Sequence, residues 1–171
     1  CDFSGYSDIA IGTGRLFGIS LSRNFAFPYF SRNIGEFWHR WHMSLSTWFR
    51  DYVYIPLGGS RCSSVRRLRN VLITFVVSGL WHGANWTFVL WGALHGVYYL
   101  VEIWTQQIRD KVWEKRLPGK EAWRTAFGTL VTLTLVCLAW VFFRASSLSD
   151  AFLLFGNATQ LGDSTDLYAP W

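Results

Sequence analysis

The chain has 171 residues, of which 51% are hydrophobic and 16% charged, and a formal net charge of +5. That length suits one domain, and a charge content well below the usual quarter excludes an ordinary water-soluble surface. With 11 Trp and 14 Phe, the composition points to membrane interfaces, where an amphipathic ring is half wet. The basic excess is then read as attraction to anionic lipid and as a topology signal, not as nucleic-acid binding.

Residue 1 is Cys and the only methionine is Met43. We read this as an excerpt of a longer chain, the alternative being a processed lipoprotein. Cys1, Cys62 and Cys137 are far apart and form neither a CxxC pair nor a disulfide framework. Cys137 reads as a small core residue.

Residues 6–22 are moderately apolar, with Gly12, Gly14, Gly18 and a lone Arg15, and suit a short, tightly packed membrane helix. Asn33-Ile-Gly-Glu36 resembles a capping box with Asn in the capping place. A helix is predicted from there to about Tyr54, ended by Pro56 and Gly58-Gly59. At about 100° per residue, Phe37, Trp38, Trp41, Leu45, Trp48, Phe49 and Tyr52 share one face. Such a helix would lie in the membrane interface. His42 falls on the border of its apolar and polar faces.

Asn70 to Val101 contains no Asp, Glu, Lys or Arg, well beyond the roughly 20 residues a span needs. It is interrupted by His82-Gly83-Ala84-Asn85. The reading is two helical arms, about 71–81 and 86–101, with the first reaching about half-way across a bilayer and the break at membrane depth. Arg61, Arg66, Arg67 and Arg69 precede this run, and the polar loop predicted over 109–124, with a turn at Pro118-Gly119, follows it. Whether 70–101 is re-entrant or crosses stays open on charge alone. Thr125 to Phe143 is a second uncharged run and reads as a transmembrane helix. Residues 147–160 read as an amphipathic helix capped by Ser147 or Ser149, with Ala151, Phe152, Leu154 and Phe155 as its apolar side.

Of four histidines, His39 and His42 have a spacing that permits two metal ligands. Their directions on a helix differ by about 60° and no third ligand is near in sequence, so no metal is expected. His82 is titratable, sits at a helix break within an uncharged run, and is a functional candidate for that reason. The competing reading is a buried histidine bonded to a carbonyl. A neutral imidazole there would suit removal of a proton from a hydroxyl attacking a thioester. Asn85 would orient that ring or polarise the acyl carbonyl. His95 is read as packing, with a second polar group of the same cavity as the alternative.

Phe37-Trp-His-Arg-Trp-His42-Met-Ser-Leu-Ser-Thr-Trp-Phe-Arg-Asp51-Tyr-Val-Tyr-Ile-Pro-Leu-Gly-Gly59 resembles the signature segment of the membrane-bound O-acyltransferase (MBOAT) family. Ser78-Gly-Leu-Trp-His82-Gly-Ala-Asn-Trp86 and Leu90-Trp-Gly-Ala-Leu-His-Gly96 resemble its catalytic segment, and Asp2 to Gly12 an internal stretch. The Ile-Pro-Leu-Gly-Gly ending follows the bacterial alginate O-acetyltransferase branch; the teichoic acid D-alanyl-transferring branch is similar but usually departs there.

The resemblance implies an all-α, polytopic membrane fold of tilted and broken transmembrane helices with interfacial amphipathic helices. Residues 1–171 would form one membrane domain, the C-terminal part of that fold without its N-terminal helices. It implies His82 as the essential histidine and His42 as the second, near the acyl tunnel. Trp81, Ser46 and Asn85 are expected to contact substrate. No cofactor is expected; an acyl thioester, acetyl-CoA or an acyl carrier, would be the donor. A multi-pass protein of the bacterial inner membrane would then serve periplasmic or extracellular acetyltransferase partners that modify an exported polysaccharide. A transporter with a broken-helix substrate site and a structural scaffold are the competing classes. A transporter commonly repeats its pair of broken helices, and this sequence has one such pair.

Overall fold

The computed structural model describes residues 2–116, 119 and 121–158, and every regular element among them is helical. Cys1, Pro118, the last two residues of the helix expected over 147–160, and the chain beyond lie outside the described residues.

Helix α1 (Asp2–Leu16) begins earlier and ends sooner than its apolar run suggested. Gly18 adopts φ 72°, and the Ile19 N–H returns to the Gly14 carbonyl at 2.8 Å. This is a left-handed glycine stop. Open space surrounds Gly12, whereas a Cβ on Gly14 would press on the Ile19 carbonyl and the Leu21 side chain of the returning chain at 3.2 Å, so the close packing predicted for this helix is confined to Gly14.

Asn33 caps α2 (Ile34–Arg40) as expected, its Oδ1 accepting the Glu36 N–H at 2.7 Å. The single helix predicted to Tyr54 does not form. Trp41 is extended, His42 is left-handed at φ 43° and ψ 56°, and α3 (Met43–Phe49) starts anew. A π-helical turn, Arg50–Tyr54, follows. The break has a tertiary cause. Asn24 lies alongside and accepts the Met43 N–H at 3.0 Å through its carbonyl and the Ser44 N–H at 3.1 Å through its side chain. The Ala26 N–H donates to the Arg40 carbonyl at 3.0 Å. The loop thus supplies partners that a continuous helix would have supplied itself.

The uncharged run becomes a hairpin of α4 (Ser64–His82) and α5 (Trp86–Arg116). Both arms are longer than expected, and residues 109–116, predicted as loop, are helical. A Cβ on Gly79 would collide with the Phe88 carbonyl oxygen, and one on Gly92 with the Phe75 carbonyl oxygen. Gly96 faces Leu72 and Phe75 at 3.1–3.3 Å by the same measure. Small residues therefore let the two backbones touch along their length, with the tip at Gly83–Asn85.

α6 (Glu121–Arg144) runs antiparallel to α5, and it is one helix among the described residues long and apolar enough to cross a membrane. Thr132, Val136, Ala139 and Phe142 form its buried stripe, while Phe127, Leu130, Leu133 and Leu138 are exposed. An apolar helix buried along one stripe suits lipid on its other faces. Cys137 belongs to the exposed side and is not a core residue. Trp91 stacks on Trp140 and contacts Phe143, and the Asn85 amide reaches the Ser146 carbonyl at 3.1 Å. The break at 83–85 is therefore level with the C-terminal end of α6, not with its middle. α7 (Leu148–Ala158) is capped by Ser147, whose Oγ accepts the Asp150 N–H at 3.1 Å, and it buries Ala151. Trp38, Tyr98 and Trp140 join two buried clusters, one around Trp91, Ala139 and Phe142 and one around Ile34, Phe37 and Val136, into one aromatic core.

Candidate active site

Two faces of α4 have separate tasks. Gly79 meets α5, while Val71, Thr74, Phe75, Ser78 and His82, which recur at helical spacing along one side, line a cavity of about 370 Å³. The opposite wall comes from α2, α3 and the π-turn, including Trp38, Trp41, His42, Ser46 and Tyr54. The wall is mostly aromatic and aliphatic, with a few polar groups, as small-molecule sites generally are.

His82 ends α4 and is half-buried. Trp91 and Phe143 stand edge-on to its ring at 5.3 and 5.1 Å between centroids, and Trp81 flanks it at 4.9 Å. His42 reaches the same cavity from the break between α2 and α3. Its ring packs against Phe3 at 4.8 Å, and its Nδ1 is buried without a protein partner. The left-handed backbone of His42 is the kind of local strain that persists only where surroundings enforce it. Ser46 lines the cavity too, its hydroxyl donating to the Trp41 carbonyl at 3.1 Å.

Trp81 and Asn85 do not line the cavity. Trp81 points outward and is 57% exposed. Asn85 caps α5, its Oδ1 accepting the Thr87 N–H at 3.2 Å, and its Nδ2 ties the tip to Ser146. Its amide is thus engaged in holding the hairpin tip. His95 is fully buried between Phe37, Trp38, Trp91 and Tyr98, away from the cavity, and neither ring nitrogen has a protein partner. His39 lines the cavity but is exposed. Among the described residues, no three His, Cys, Asp or Glu side chains are placed to hold a metal.

The α2 wall is held from both ends. Glu102 of α5 accepts the Ile34 and Gly35 N–H groups at 2.6 and 3.3 Å, a carboxylate at a helix N-terminus. Glu36 accepts from the Arg32 N–H at 2.8 Å, the Arg32 guanidinium at 3.1 Å and Arg40 at 2.5 Å. Burial alone would raise its carboxyl; those hydrogen bonds and charges outweigh burial and hold it below the usual glutamate range. Asn70, fully buried, donates to the Leu57 and Gly59 carbonyls and pins the turn after the π-helix to α4.

Sequence reasoning missed Ser78, Thr74 and Asn70. The helical spacing of 71, 74, 75, 78 and 82 was the available signal for the first two; Asn70 acts on a turn whose position only the fold reveals.

Residues 1–139 match the sequence model of MBOAT, the membrane-bound O-acyltransferase family. The chain is similar to the probable alginate O-acetylase AlgI of Azotobacter vinelandii, at 45% identity over 96% of this chain and 31% of that protein. It is also similar to the peptidoglycan O-acetyltransferase of Helicobacter pylori, at 45% identity over 88% of this chain and 27% of that protein. The teichoic acid D-alanyltransferase of Streptococcus thermophilus is 36% identical over 83% of this chain and 37% of its own length. The chain thus spans about a third of the length of the curated relatives it matches.

Proposed function

This chain belongs to the membrane-bound O-acyltransferase family, and from that premise we propose that the protein moves an acyl group, acetyl first of all, from a thioester donor toward hydroxyls of an exported polysaccharide. His82 is the general base. The observation that carries this reading is that His42 and His82, from two separate signature segments, line one cavity.

Chemically, the base must face the reacting atoms. His82 borders the cavity, and the aromatic rings around it hold the imidazole in place. It removes the proton as the acceptor hydroxyl attacks the thioester carbonyl, a contribution of about 10²–10⁴ in rate. His42, on the opposite wall, assists in positioning the acyl group. The cavity follows α4 from Val71 to His82, a rise of about 16 Å at 1.5 Å per residue. Its far end, by Val71 and Tyr99, lies toward the basic start of α4 with Arg66, Arg67 and Arg69. An extended thiol arm of an acyl donor suits that shape, and the basic end suits its phosphate.

The same charge pattern supports the topology. If α6 crosses the membrane, α4 and α5 run beside it out and back, giving a multi-pass protein with its basic ends on the cytoplasmic side. In the bacterial inner membrane, the acyl group would then travel outward along α4 to partner proteins that finish acetylation of the polymer. The polysaccharide reading follows the names of the alginate and peptidoglycan relatives; D-alanyl transfer is the alternative named by the teichoic acid relative.

In the full-length protein, His82→Ala is expected to leave membrane insertion and abundance unchanged while removing O-acetyl from the secreted polymer, read by alkaline release of acetate. Normal acetylation in that variant would sink the mechanism. His42→Ala is expected to lower acetylation less severely. Acetate absent from wild-type polymer, with alanine released in its place, would move the reading to D-alanyl transfer.

A further inference from the structure

Ser78 stands one helical turn before His82 on the cavity face of α4. Residues four apart on a helix have side chains about 5–6 Å apart at Cβ, so both groups address the same small volume. A helical hydroxyl ordinarily bonds back to the carbonyl one turn earlier. Thr74 does so to Asn70 at 2.8 Å, Thr105 to Val101 at 2.7 Å and Thr134 to Leu130 at 2.9 Å. Ser78 makes no such bond, and its hydroxyl has no partner among the described residues although the residue is only 7% exposed. A hydroxyl on the cavity wall that no protein group engages is available to whatever fills the cavity.

We propose that Ser78 donates its hydroxyl hydrogen to the acyl carbonyl oxygen of the donor, stabilising the oxyanion that forms beside His82. This deepens the proposed function and rests on the reading of His82 as the base. In the step, the acceptor hydroxyl oxygen forms the new C–O bond while His82 takes its proton. The carbonyl oxygen gains the negative charge, which Ser78 meets with a hydrogen bond. The carbonyl re-forms, the C–S bond breaks, and the leaving thiolate takes the proton from the imidazolium. Atoms and charge balance with no further reactant. Asn85, which sequence reasoning gave the task of polarising the carbonyl, is engaged at the hairpin tip, so the carbonyl needs another donor and Ser78 is placed to supply it.

The test uses the full-length protein in proteoliposomes, with acetyl-coenzyme A as donor probe and an oligosaccharide of the cognate polymer as acceptor. Alanine is the best helix former, so Ser78→Ala should keep abundance and thermal midpoint. Its kcat should fall about 10²–10³-fold, the cost of one lost oxyanion donor, with the donor KM within a few-fold of wild type. A kcat within about threefold of wild type, or a change confined to KM, overturns the proposal. His82→Ala is measured alongside. If it is inactive while Ser78→Ala keeps its kcat, only the role of Ser78 falls; if His82→Ala retains kcat, the base reading falls and takes this one with it.

Discussion

A cavity-facing histidine with φ 43° has a backbone that costs a non-glycine residue roughly 1–2 kcal/mol. For His42 that cost is offset by Asn24 and Ala26, which cross-link the two sides of the break. The placement of the candidate site residues was partly legible beforehand. His82, His42 and Ser46 meet at one cavity, as their signature segments suggested. Trp81 and Asn85 do not, because the helix turns Trp81 outward and the end of α4 turns Asn85 into the cap of α5. Motif neighbours need not be site neighbours when a helix terminus lies between them. The assignment of Asn85 makes a prediction. Asn85→Ala should destabilise the full-length protein by about 0.5–2 kcal/mol, the usual cost of losing an N-cap. Thermal unfolding should show this with little loss of kcat in the protein that stays folded. Unchanged stability with a collapsed kcat would return Asn85 to the chemistry.

At the scale of elements, α6 and α7 were legible because their signals are local. An apolar run bracketed by Arg124 and Arg144 becomes one helix, and Ser147 caps the next. The helix expected over 33–54 had an equally clear apolar face and still broke. The partners that break it, Asn24 and Ala26, lie upstream of the helix itself, and periodicity within the helix does not see them. Residues 109–116 were read as loop for their charge, although Arg, Lys and Glu are good helix formers. The pairing of α4 with α5 depends on glycine. Gly79→Ala should push a methyl into the Phe88 carbonyl and cost about 1–3 kcal/mol, the usual penalty of overpacking. A lowered thermal midpoint of the full-length protein checks this. A stability equal to wild type would mean the arms are not held at that distance.

Across the whole molecule, the charge pattern alone left residues 70–101 undecided between a re-entrant loop and a crossing. The hairpin reaches the C-terminal end of α6 and returns, so the basic start of α4 and the Arg109 end of α5 share one end of the molecule, with Arg124 of α6 paired there to Asp110. That arrangement predicts a topology. With Cys62 and Cys137 replaced, Arg66→Cys and Arg109→Cys in the full-length protein should react with an impermeant maleimide from one side of the membrane, and Ala84→Cys from the other. Labelling of all three from the same side would contradict a hairpin that crosses. Under the proposed function, acyl movement would run outward along the same geometry, since the cavity extends from the basic end of α4 toward His82 at the tip.

The central claim, that His82 is the base of acyl transfer in that cavity, is tested most directly by one rate. The acceptor-dependent release of thiol from acetyl-coenzyme A is measured in proteoliposomes holding the full-length protein, wild type against His82→Gln. The account predicts a fall of about 10²–10⁴-fold in that rate, with equal amounts of folded protein in the two preparations. A variant that releases thiol at the wild-type rate would contradict it.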